Sequence, residues 1–235
     1  MLNKIYERQF ISDLPKLVRK NVGGNRLYET PSGDYPSITS VLSIRGKEAI
    51  YAWRKRVGNE EANRVTKRAT TRGTHFHSLL ENYFLNEMGD PDTFCSTAMA
   101  KSPAVWYLFL EAVQVLENQI GDIYCIEDYL YSDELKVAGT VDMIADYNGE
   151  VTVIDFKTSN KPKKEEWIEN YFIQGTAYAK MFTERTGIPC NQLVIFIVPD
   201  DGVPQIFTKT VDEFVPTLKM AIEDFDNYRN KRLDI

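Results

Sequence analysis

Two acidic residues and a lysine stand at the ends of neighbouring apolar segments, where charged side chains are uncommon. Asp155 and Lys157 follow the β-branched run at residues 151–154, and Asp142 stands in the apolar segment before it. Such runs are typical of buried strands. Residues two apart on a strand share a face, so Asp155 and Lys157 should point the same way. Because buried charges need a partner or a metal ion, the pattern predicts either a salt bridge or a divalent-metal site suited to phosphodiester cleavage.

A tight turn between the two segments fixes how they should pair. Residues 147–150 (Tyr-Asn-Gly-Glu) are typical of a type I′ hairpin turn. Pairing about this turn matches residues whose numbers sum to about 297, which places Asp142 opposite Asp155. Opposed residues have Cβ atoms roughly 5 Å apart, a spacing that suits two carboxylates sharing one ion. A second acid-x-Lys triplet, at residues 134–136, has no apolar strand before it, and we expect a solvated turn there.

One of the two histidines is a candidate metal ligand. His77 lies on the apolar face of a helix expected over residues 73–88, one turn before Glu81, whereas His75 points to another face. A lone histidine on an apolar face is usually structural, but neutral imidazole also binds metals when carboxylates are nearby. We expect Glu81 to orient His77 or to bind the metal itself. Glu127, on the first strand of the predicted sheet, is a further acid expected near the site.

Two polar residues on the following helix could complete the site. Gln174 and Tyr178 are four residues apart, so they share one face of a helix expected over residues 164–186. They could hydrogen-bond to a phosphate or hold Lys157 in place. The alternative is two ordinary half-buried polar residues.

The chain alternates between helical and strand periodicity in an order that indicates an α/β or α+β architecture with a mixed sheet flanked by helices. Residues 1–36 are expected to form an irregular arm or a short hairpin. The predicted helices are 46–72, with a break at Gly58-Asn59, then 73–88, 101–119, 164–186 and 211–230. The predicted strands are 123–132, 136–147, 150–157, 193–198 and 204–210. Two parts are expected, a basic arm and helical wall over residues 1–72 and a core over residues 73–235.

Charge is distributed unevenly along the 235 residues. Residues 1–72 carry an excess of eight positive charges, whereas residues 73–235 carry an excess of fourteen negative charges, for a net charge of −6. A basic segment of this kind predicts a phosphate-rich partner. The alternative is a solvated helix with a basic face.

The cysteines and the apolar segments limit the location. Cys95, Cys125 and Cys190 show no CxxC spacing, so the chain is not expected to be a zinc-ribbon protein, a thioredoxin or a small disulfide-framework protein. The spacing favours a reducing compartment. The first twenty residues lack the apolar core of a secretory signal, and no run reaches about 18 apolar residues. We therefore expect a cytoplasmic protein without a membrane span.

Four motifs occur together in the order found in one nuclease family. They are Arg72-Gly73-Thr74-x-x-His77, Gly139-Thr140-Val141-Asp142, Asp155-Phe156-Lys157-Thr158-Ser159 and Gln174-x-x-x-Tyr178. Over roughly residues 36–200 the chain resembles the RecB-like branch of the PD-(D/E)XK nucleases. Residues 36–42 and 53–58 resemble the mitochondrial genome maintenance exonucleases and their phage-encoded relatives. No single motif is specific, but the combination is.

The resemblance implies a fold, a metal site and a set of catalytic residues. The fold would be a restriction-endonuclease-like α/β core with a helical N-terminal arch or wall. His77, Asp142, Asp155 and the Phe156 carbonyl would bind one or two Mg²⁺ or Mn²⁺ ions. Asp142, Asp155, Lys157, Gln174 and Tyr178 would carry the reaction. Some members hold an iron–sulfur cluster, but this chain lacks the cysteine spacing for one, and it also lacks an obvious transit peptide.

The activity implied is metal-dependent DNA exonuclease action on single strands or free ends, in replication, recombination or repair, in a phage or a bacterium. A single-strand-binding or recombination protein is a candidate partner. One alternative is a structure-specific or restriction-like endonuclease of the same fold. Another is a catalytically silent DNA-binding recombination module. Contacts with DNA are expected from Ser37, Thr39, Arg45, Trp53, Arg54, Arg72 and Thr158.

Overall fold

The computed structural model describes residues 4–9, 14, 16–23, 25–200 and 203–233. These residues form two sheets and seven α-helices. The small sheet contains β1 (Val18–Val22), β2 (Asn25–Thr30) and β3 (Gly33–Pro36). The central sheet contains β4 (Ile120–Ser132), β5 (Val137–Tyr147), β6 (Glu150–Ser159), β7 (Gln192–Pro199) and β8 (Gln205–Thr210).

Five of the helices lie between the two sheets in the sequence, and the other two follow strands of the central sheet. The helices are α1 (Ile38–Ser43), α2 (Lys47–Val57), α3 (Asn59–Phe84), α4 (Pro91–Lys101), α5 (Pro103–Leu116), α6 (Glu169–Thr186) and α7 (Val215–Leu233). Short 3₁₀ turns at Glu165–Trp167 and Val211–Phe214 precede the last two. None of the helices in the described part of the chain has the length and apolar character needed to cross a bilayer.

The central sheet is mixed, as predicted, with the strand order β4-β5-β6-β7-β8. Only β6 and β7 run parallel, and α6 makes the long crossover that a parallel pair requires. Apolar side chains cover both faces. Phe76 of α3 and Phe109 of α5 belong to the cluster on one face, and Phe172 and Phe182 of α6 belong to the other. A sheet buried on both sides explains why its strands are continuous apolar runs.

The hairpin between β5 and β6 has the predicted register. Met143 pairs with Ile154 and Tyr147 pairs with Glu150, so the paired numbers sum to 297. Asn148 and Gly149 both adopt positive φ, 52° and 88°, as a type I′ turn requires. The second acid-x-Lys triplet lies in the turn between β4 and β5, also as predicted.

In the N-terminal region the hairpin alternative is the one that the structure shows. Residues 18–36 pair as β1–β2 and β2–β3 in the antiparallel small sheet, which has one strand more than a simple hairpin. Its buried Tyr28 and Tyr35 pack against Tyr131 of β4 and Ala138 of β5. Contacts distant in sequence hold these strands, which is why local periodicity left both alternatives open. The expected turn residue Gly24, most of residues 1–15 and the expected turn at residues 201–202 lie outside the described residues.

The helices also differ from the prediction in two places. The break at Gly58, where φ is 87°, is confirmed, but α3 then continues without interruption through residues 72 and 73. The expected separation of two helices there is wrong, and the division of the chain into arm and core stays a prediction. Helix α4 is not among the predicted helices. Its start is nevertheless visible in the sequence, since Asp90 accepts a hydrogen bond from the Thr93 amide and Pro91 is the first helical residue.

The burial of the cysteines gives a first test of this fold. Cys95 is partly exposed, whereas Cys125 and Cys190 are buried, and burial raises the pKa of the Cys190 thiol to about 12. Because the thiolate is the reactive form, iodoacetamide at pH 8 should alkylate Cys95 alone in the folded protein. Peptide mass spectrometry measures this, with Cys95→Ser as the unreactive control. Alkylation of Cys125 or Cys190 at a similar rate before unfolding would contradict the fold.

Candidate active site

A helix and two strands bring three metal-binding side chains together. His77 of α3, Glu127 of β4 and Asp142 of β5 each place one nitrogen or oxygen within 4.8 Å of the others. The Nδ1 atom of His77 lies 3.1 Å from Oε1 of Glu127 and 3.6 Å from Oδ1 of Asp142. All three side chains are only partly buried. We call these three residues the acidic cluster, which has the donor atoms to hold a cation.

Glu127 reaches the acidic cluster through an unusual backbone conformation. The neighbouring pairs Ile126–Met143 and Asp128–Val141 bracket Glu127 and place it opposite Asp142. Its φ is +49°, a value that residues other than glycine rarely adopt. The Asp128 carboxylate accepts a hydrogen bond from the Ile126 amide and so spans the strained residue. Local strain of this kind is typical of functional sites.

The Asp-x-Lys motif lies beside the acidic cluster. Asp155 is 1% exposed, and its Oδ2 lies 2.5 Å from Nζ of Lys157, which is 3.7 Å from Oδ2 of Asp142. The Phe156 amide donates a hydrogen bond of 2.8 Å to Oδ2 of Asp142. Apart from the ion pair, Oδ2 of Asp155 has no hydrogen-bond partner among the described residues.

His77 of α3 contacts both β4 and β6. Its Nε2 lies 2.9 Å from the Phe156 carbonyl oxygen while Nδ1 contacts Glu127. Both neighbours accept hydrogen bonds, so the geometry suits an imidazolium that donates from both nitrogens. Burial lowers the pKa of His77, but the charge of Asp142 and the hydrogen bond to Glu127 outweigh burial and raise it to about 9. A cation bound by His77 must therefore replace a proton.

Burial and mutual attraction also shift the pKa values of Asp155 and Lys157 in the Asp-x-Lys motif. Burial raises the pKa of Asp155 to about 6 although the Lys157 ammonium opposes the change. Burial lowers the pKa of Lys157, but the carboxylates of Asp155 and Asp142 more than offset it and hold the pKa above its usual value. Lys157 thus stays charged and compensates the buried acid.

Gln174 and Tyr178 both reach this part of the site from α6. The Gln174 amide nitrogen lies 3.4 Å from Oδ1 of Asp155 and 3.4 Å from the Tyr178 hydroxyl. The Tyr178 ring packs on Gly139 of β5, where an added Cβ would lie 2.7 Å from a ring carbon. Gln174 therefore contacts the carboxylate of the motif rather than Lys157, and Tyr178 contacts Gln174.

The chain matches known nucleases over most of its length. Residues 49–231 match the family model of the PD-(D/E)XK nuclease superfamily. The chain belongs to this superfamily. Mitochondrial genome maintenance exonuclease 1 of Mus musculus is 26% identical over 136 residues, which are 54% of this chain and 38% of that protein. The Homo sapiens protein of the same name is 27% identical over 184 residues, 72% of this chain and 50% of that protein.

The chain therefore spans about half or less of the length of these curated relatives. A solved protein from Eubacterium rectale, provisionally described as an exonuclease, superposes with a TM-score of 0.45 at 13% identity over 68% of each chain. Members of the PD-(D/E)XK superfamily use divalent metals, and the acidic cluster of this chain has suitable ligand atoms.

One cavity of about 400 Å³ adjoins the acidic cluster in this PD-(D/E)XK chain. Ser37 and Thr39, two of the residues expected to contact DNA, line it together with Asp142. Glu81 lines it as well, but the carboxylate that hydrogen-bonds to His77 is that of Glu127. The roles expected for Glu81 and Glu127 stay predictions, although only Glu127 contacts His77.

Arg72 and Thr158 are joined at the end of β6. The Arg72 guanidinium donates to the Thr158 hydroxyl at 3.1 Å, to the Asn160 side chain at 2.8 Å and to Asp200 at 2.7 Å. These contacts tie α3 to the strand that carries the Asp-x-Lys motif. Arg72 therefore has a structural task in addition to any contact with a ligand.

The remaining residues expected to contact DNA lie apart from the acidic cluster. Arg45 forms an ion pair with Glu169 at the start of α6. Arg54 of α2 donates to the side chains of Asn59 and Asn63. Trp53 is half-buried on α2, which has no fully buried residue.

The close packing of Tyr178 on Gly139 gives a second test. Replacing Gly139 by alanine should force the Tyr178 ring to move and should lower the free energy of unfolding by about 1–3 kcal/mol. The control is Gly73→Ala in α3, because a Cβ there meets no atom within 4 Å. That change should leave stability unaltered or raise it by about 0.5–1 kcal/mol. Urea denaturation measures both, and equal stability of the two variants would refute the packing.

Proposed function

We propose that this protein is a metal-dependent deoxyribonuclease that acts as an exonuclease on single-stranded DNA or on DNA ends. The observation that carries the proposal is the position of the acidic cluster beside the Asp155–Lys157 ion pair, at one edge of a single open cavity. Membership of the PD-(D/E)XK superfamily and the exonuclease names of the curated relatives support it.

The residues present fit a divalent cation. Carboxylate oxygens suit Mg²⁺ and Mn²⁺, and imidazole accompanies them at sites that accept transition metals. Apart from the Lys157 ammonium, the buried Oδ2 of Asp155 has no partner among the described residues, and a carboxylate oxygen in this position can also bind a cation. We assign His77, Asp142, Asp155 and the Phe156 carbonyl as ligands of one or two ions, with Glu127 as an additional ligand. Such an ion activates water as a nucleophile and neutralises charge on the phosphate.

Lys157 supplies a fixed positive charge where the reaction develops negative charge. Its ammonium lies between the carboxylates of Asp155 and Asp142, so it is held in place before a substrate arrives. From there it can donate a hydrogen bond to the attacking water or to a phosphate oxygen. Gln174 donates to the Asp155 carboxylate and to the Tyr178 hydroxyl and so can keep the ion pair oriented.

The helices α2 and α3 offer a surface for the DNA strand. Arg64, Arg68 and Arg72 lie along one side of α3, around a small cavity that ends at Asn160 after β6. Tyr51 of α2 is 71% exposed and could stack on an unpaired base, which favours a single strand. We propose that residues 1–72 bind DNA and that the rest of the chain cuts it, in DNA replication, recombination or repair in a phage or bacterial cytoplasm.

Substitutions in the two acid-x-Lys triplets test the catalytic assignment. Lys157→Ala and Asp142→Asn should each reduce Mg²⁺-dependent DNA degradation by at least about 100-fold, because both remove charges at the reacting phosphate. The matched changes Lys136→Ala and Glu134→Gln, in the exposed turn, should leave it unaltered.

Initial rates on a single-stranded oligonucleotide measure this effect, and thermal unfolding shows whether each variant is folded. Lys157→Ala removes the partner of a buried carboxylate, so Lys157→Gln serves as a less disruptive variant. Full activity in folded Lys157→Gln and Asp142→Asn proteins would refute the assignment.

A digestion experiment tests the substrate and the mode of attack. Linear single-stranded and double-stranded DNA, labelled at the 5′ or the 3′ end, should be degraded with Mg²⁺ or Mn²⁺ and not with EDTA. Release of short labelled products from one end, with circular single strands left intact, is the expected result. Cleavage of the circle would instead identify an endonuclease, and no cleavage of any DNA would leave a binding module.

A further inference from the structure

One face of the small sheet points two arginines towards the cavity beside the acidic cluster. Arg19 of β1 pairs with Tyr28 of β2, and Arg26 precedes Tyr28 by two residues on the same strand. Paired residues and residues two apart share a face of a sheet. Arg19, Arg26 and Tyr28 all line the 400 Å³ cavity that Glu127 and Asp142 also line.

The small sheet is fixed in this position by contacts with the central sheet. The Tyr28 hydroxyl lies 3.2 Å from Oγ1 of Thr140 on β5, two residues before Asp142. A parallel bridge joins Ser37, directly after β3, to Ala138 of β5. The same strand therefore carries a carboxylate of the acidic cluster and the attachment point of the arginine-bearing sheet.

Neither guanidinium group is in contact with a carboxylate of the described residues. Neither Arg19 nor Arg26 forms a side-chain ion pair or hydrogen bond there, although both are exposed. Lys20, on the opposite face of β1, shows the usual alternative, since its Nζ lies 2.7 Å from Glu29 and 3.5 Å from Asp34. Unpaired arginines at a cavity wall can offer several parallel donors to an anion.

The cavity wall also carries a hydroxyl group that can donate to the same anion. Ser37 and Thr39 both line it at the start of α1. The buried Ser37 hydroxyl caps α1 by accepting from the Ser40 amide and donating to the Ser40 hydroxyl, whereas the Thr39 hydroxyl, 2.8 Å from it, belongs to an exposed residue. Planar guanidinium groups and hydroxyls together are a typical set of partners for phosphate oxygens. The carboxylates on the other side of the cavity would be compensated by the metal proposed above, which leaves the arginines available.

We propose that Arg19 and Arg26, with the hydroxyl of Thr39, form a phosphate-binding subsite on the small sheet. The subsite holds a phosphate group of the nucleic acid strand adjacent to the bond that is cut. This inference rests on the proposed nuclease function and specifies how its substrate is held. The phosphate can be a terminal monoester or an internal diester, because the same donors recognise both.

Equilibrium binding of a fluorescent single-stranded oligonucleotide tests the subsite. The double variant Arg19→Gln, Arg26→Gln should bind at least about ten-fold more weakly than the parent. Because the subsite neutralises one phosphate group, its loss should reduce the slope of log affinity against log salt by about 0.7. The control is Lys20→Gln, which removes one positive charge on the same strand from the opposite face and should change affinity less than about two-fold. Anisotropy titrations with EDTA, and with Mn²⁺ in the Lys157→Gln background, avoid cleavage of the probe.

Two controls distinguish loss of the subsite from loss of folding and from loss of positive charge alone. Circular dichroism should show equal thermal unfolding of the double variant and the parent, because both arginines are exposed and make no ion pair among the described residues. The variant Arg19→Lys, Arg26→Lys keeps the charge and should retain most of the salt slope. An affinity and salt slope in the double glutamine variant equal to those of Lys20→Gln would overturn the subsite.

Oligonucleotides with 5′-phosphate, 3′-phosphate or hydroxyl ends, and a circular strand, identify the phosphate that is bound. Tighter binding of one phosphorylated end, lost in the double glutamine variant, supports the subsite and assigns a terminal phosphate. An equal loss for every substrate, including the circle, supports it and assigns an internal phosphate. If the wild type binds through the arginines but never cuts, the nuclease proposal fails and the subsite stands. If it cuts and the double variant binds normally, the subsite alone fails.

Discussion

The hydrogen bond from the Phe156 amide to the Asp142 carboxylate joins the two strands on which the candidate site depends. This bond extends the contact between β5 and β6 beyond the backbone pair Met143–Ile154, where the regular ladder ends. Because side chains alternate along a strand, a shift of one residue would turn Asp155 and Lys157 to the other face together. The tight turn at residues 148–149 therefore determines which face of the sheet Asp155 and Lys157 occupy, several residues away.

The same arrangement places polar and strained residues where an ordinary core would have none. Asp155 is buried and depends on Lys157 for its compensation, and losing one member of such a pair is costly. Glu127 holds a left-handed backbone conformation, which costs about 1–2 kcal/mol in a residue other than glycine. Neither feature improves the packing of β4 or β6. Both are explained if the site must bind a cation next to a fixed ammonium.

The parts of this structure that sequence could predict are those set by local patterns. Apolar runs gave the central strands, and Asn148-Gly149 gave the register that aligns Asp142 with the Asp-x-Lys motif. For the N-terminal residues the sequence left an irregular arm and a short hairpin open, because Tyr28 and Tyr35 of the small sheet are held by residues about a hundred positions away. The inward turn of Glu127 escaped prediction because a left-handed glutamate leaves no mark in the sequence. The roles assigned to the site residues stay predictions.

The uneven charge of the chain acquires a physical meaning in this fold. An acidic cluster by itself would repel a phosphate, so a polyanion can approach only where cations offset the carboxylates. Here cations come from two separate elements, the arginines of the small sheet and those along α3. Both lie in the first 72 residues, and the excess of negative charge lies in the remainder. Under the proposed nuclease function, these arginines, which line two cavities, would draw a polyanion towards the acidic cluster of a protein whose net charge is −6.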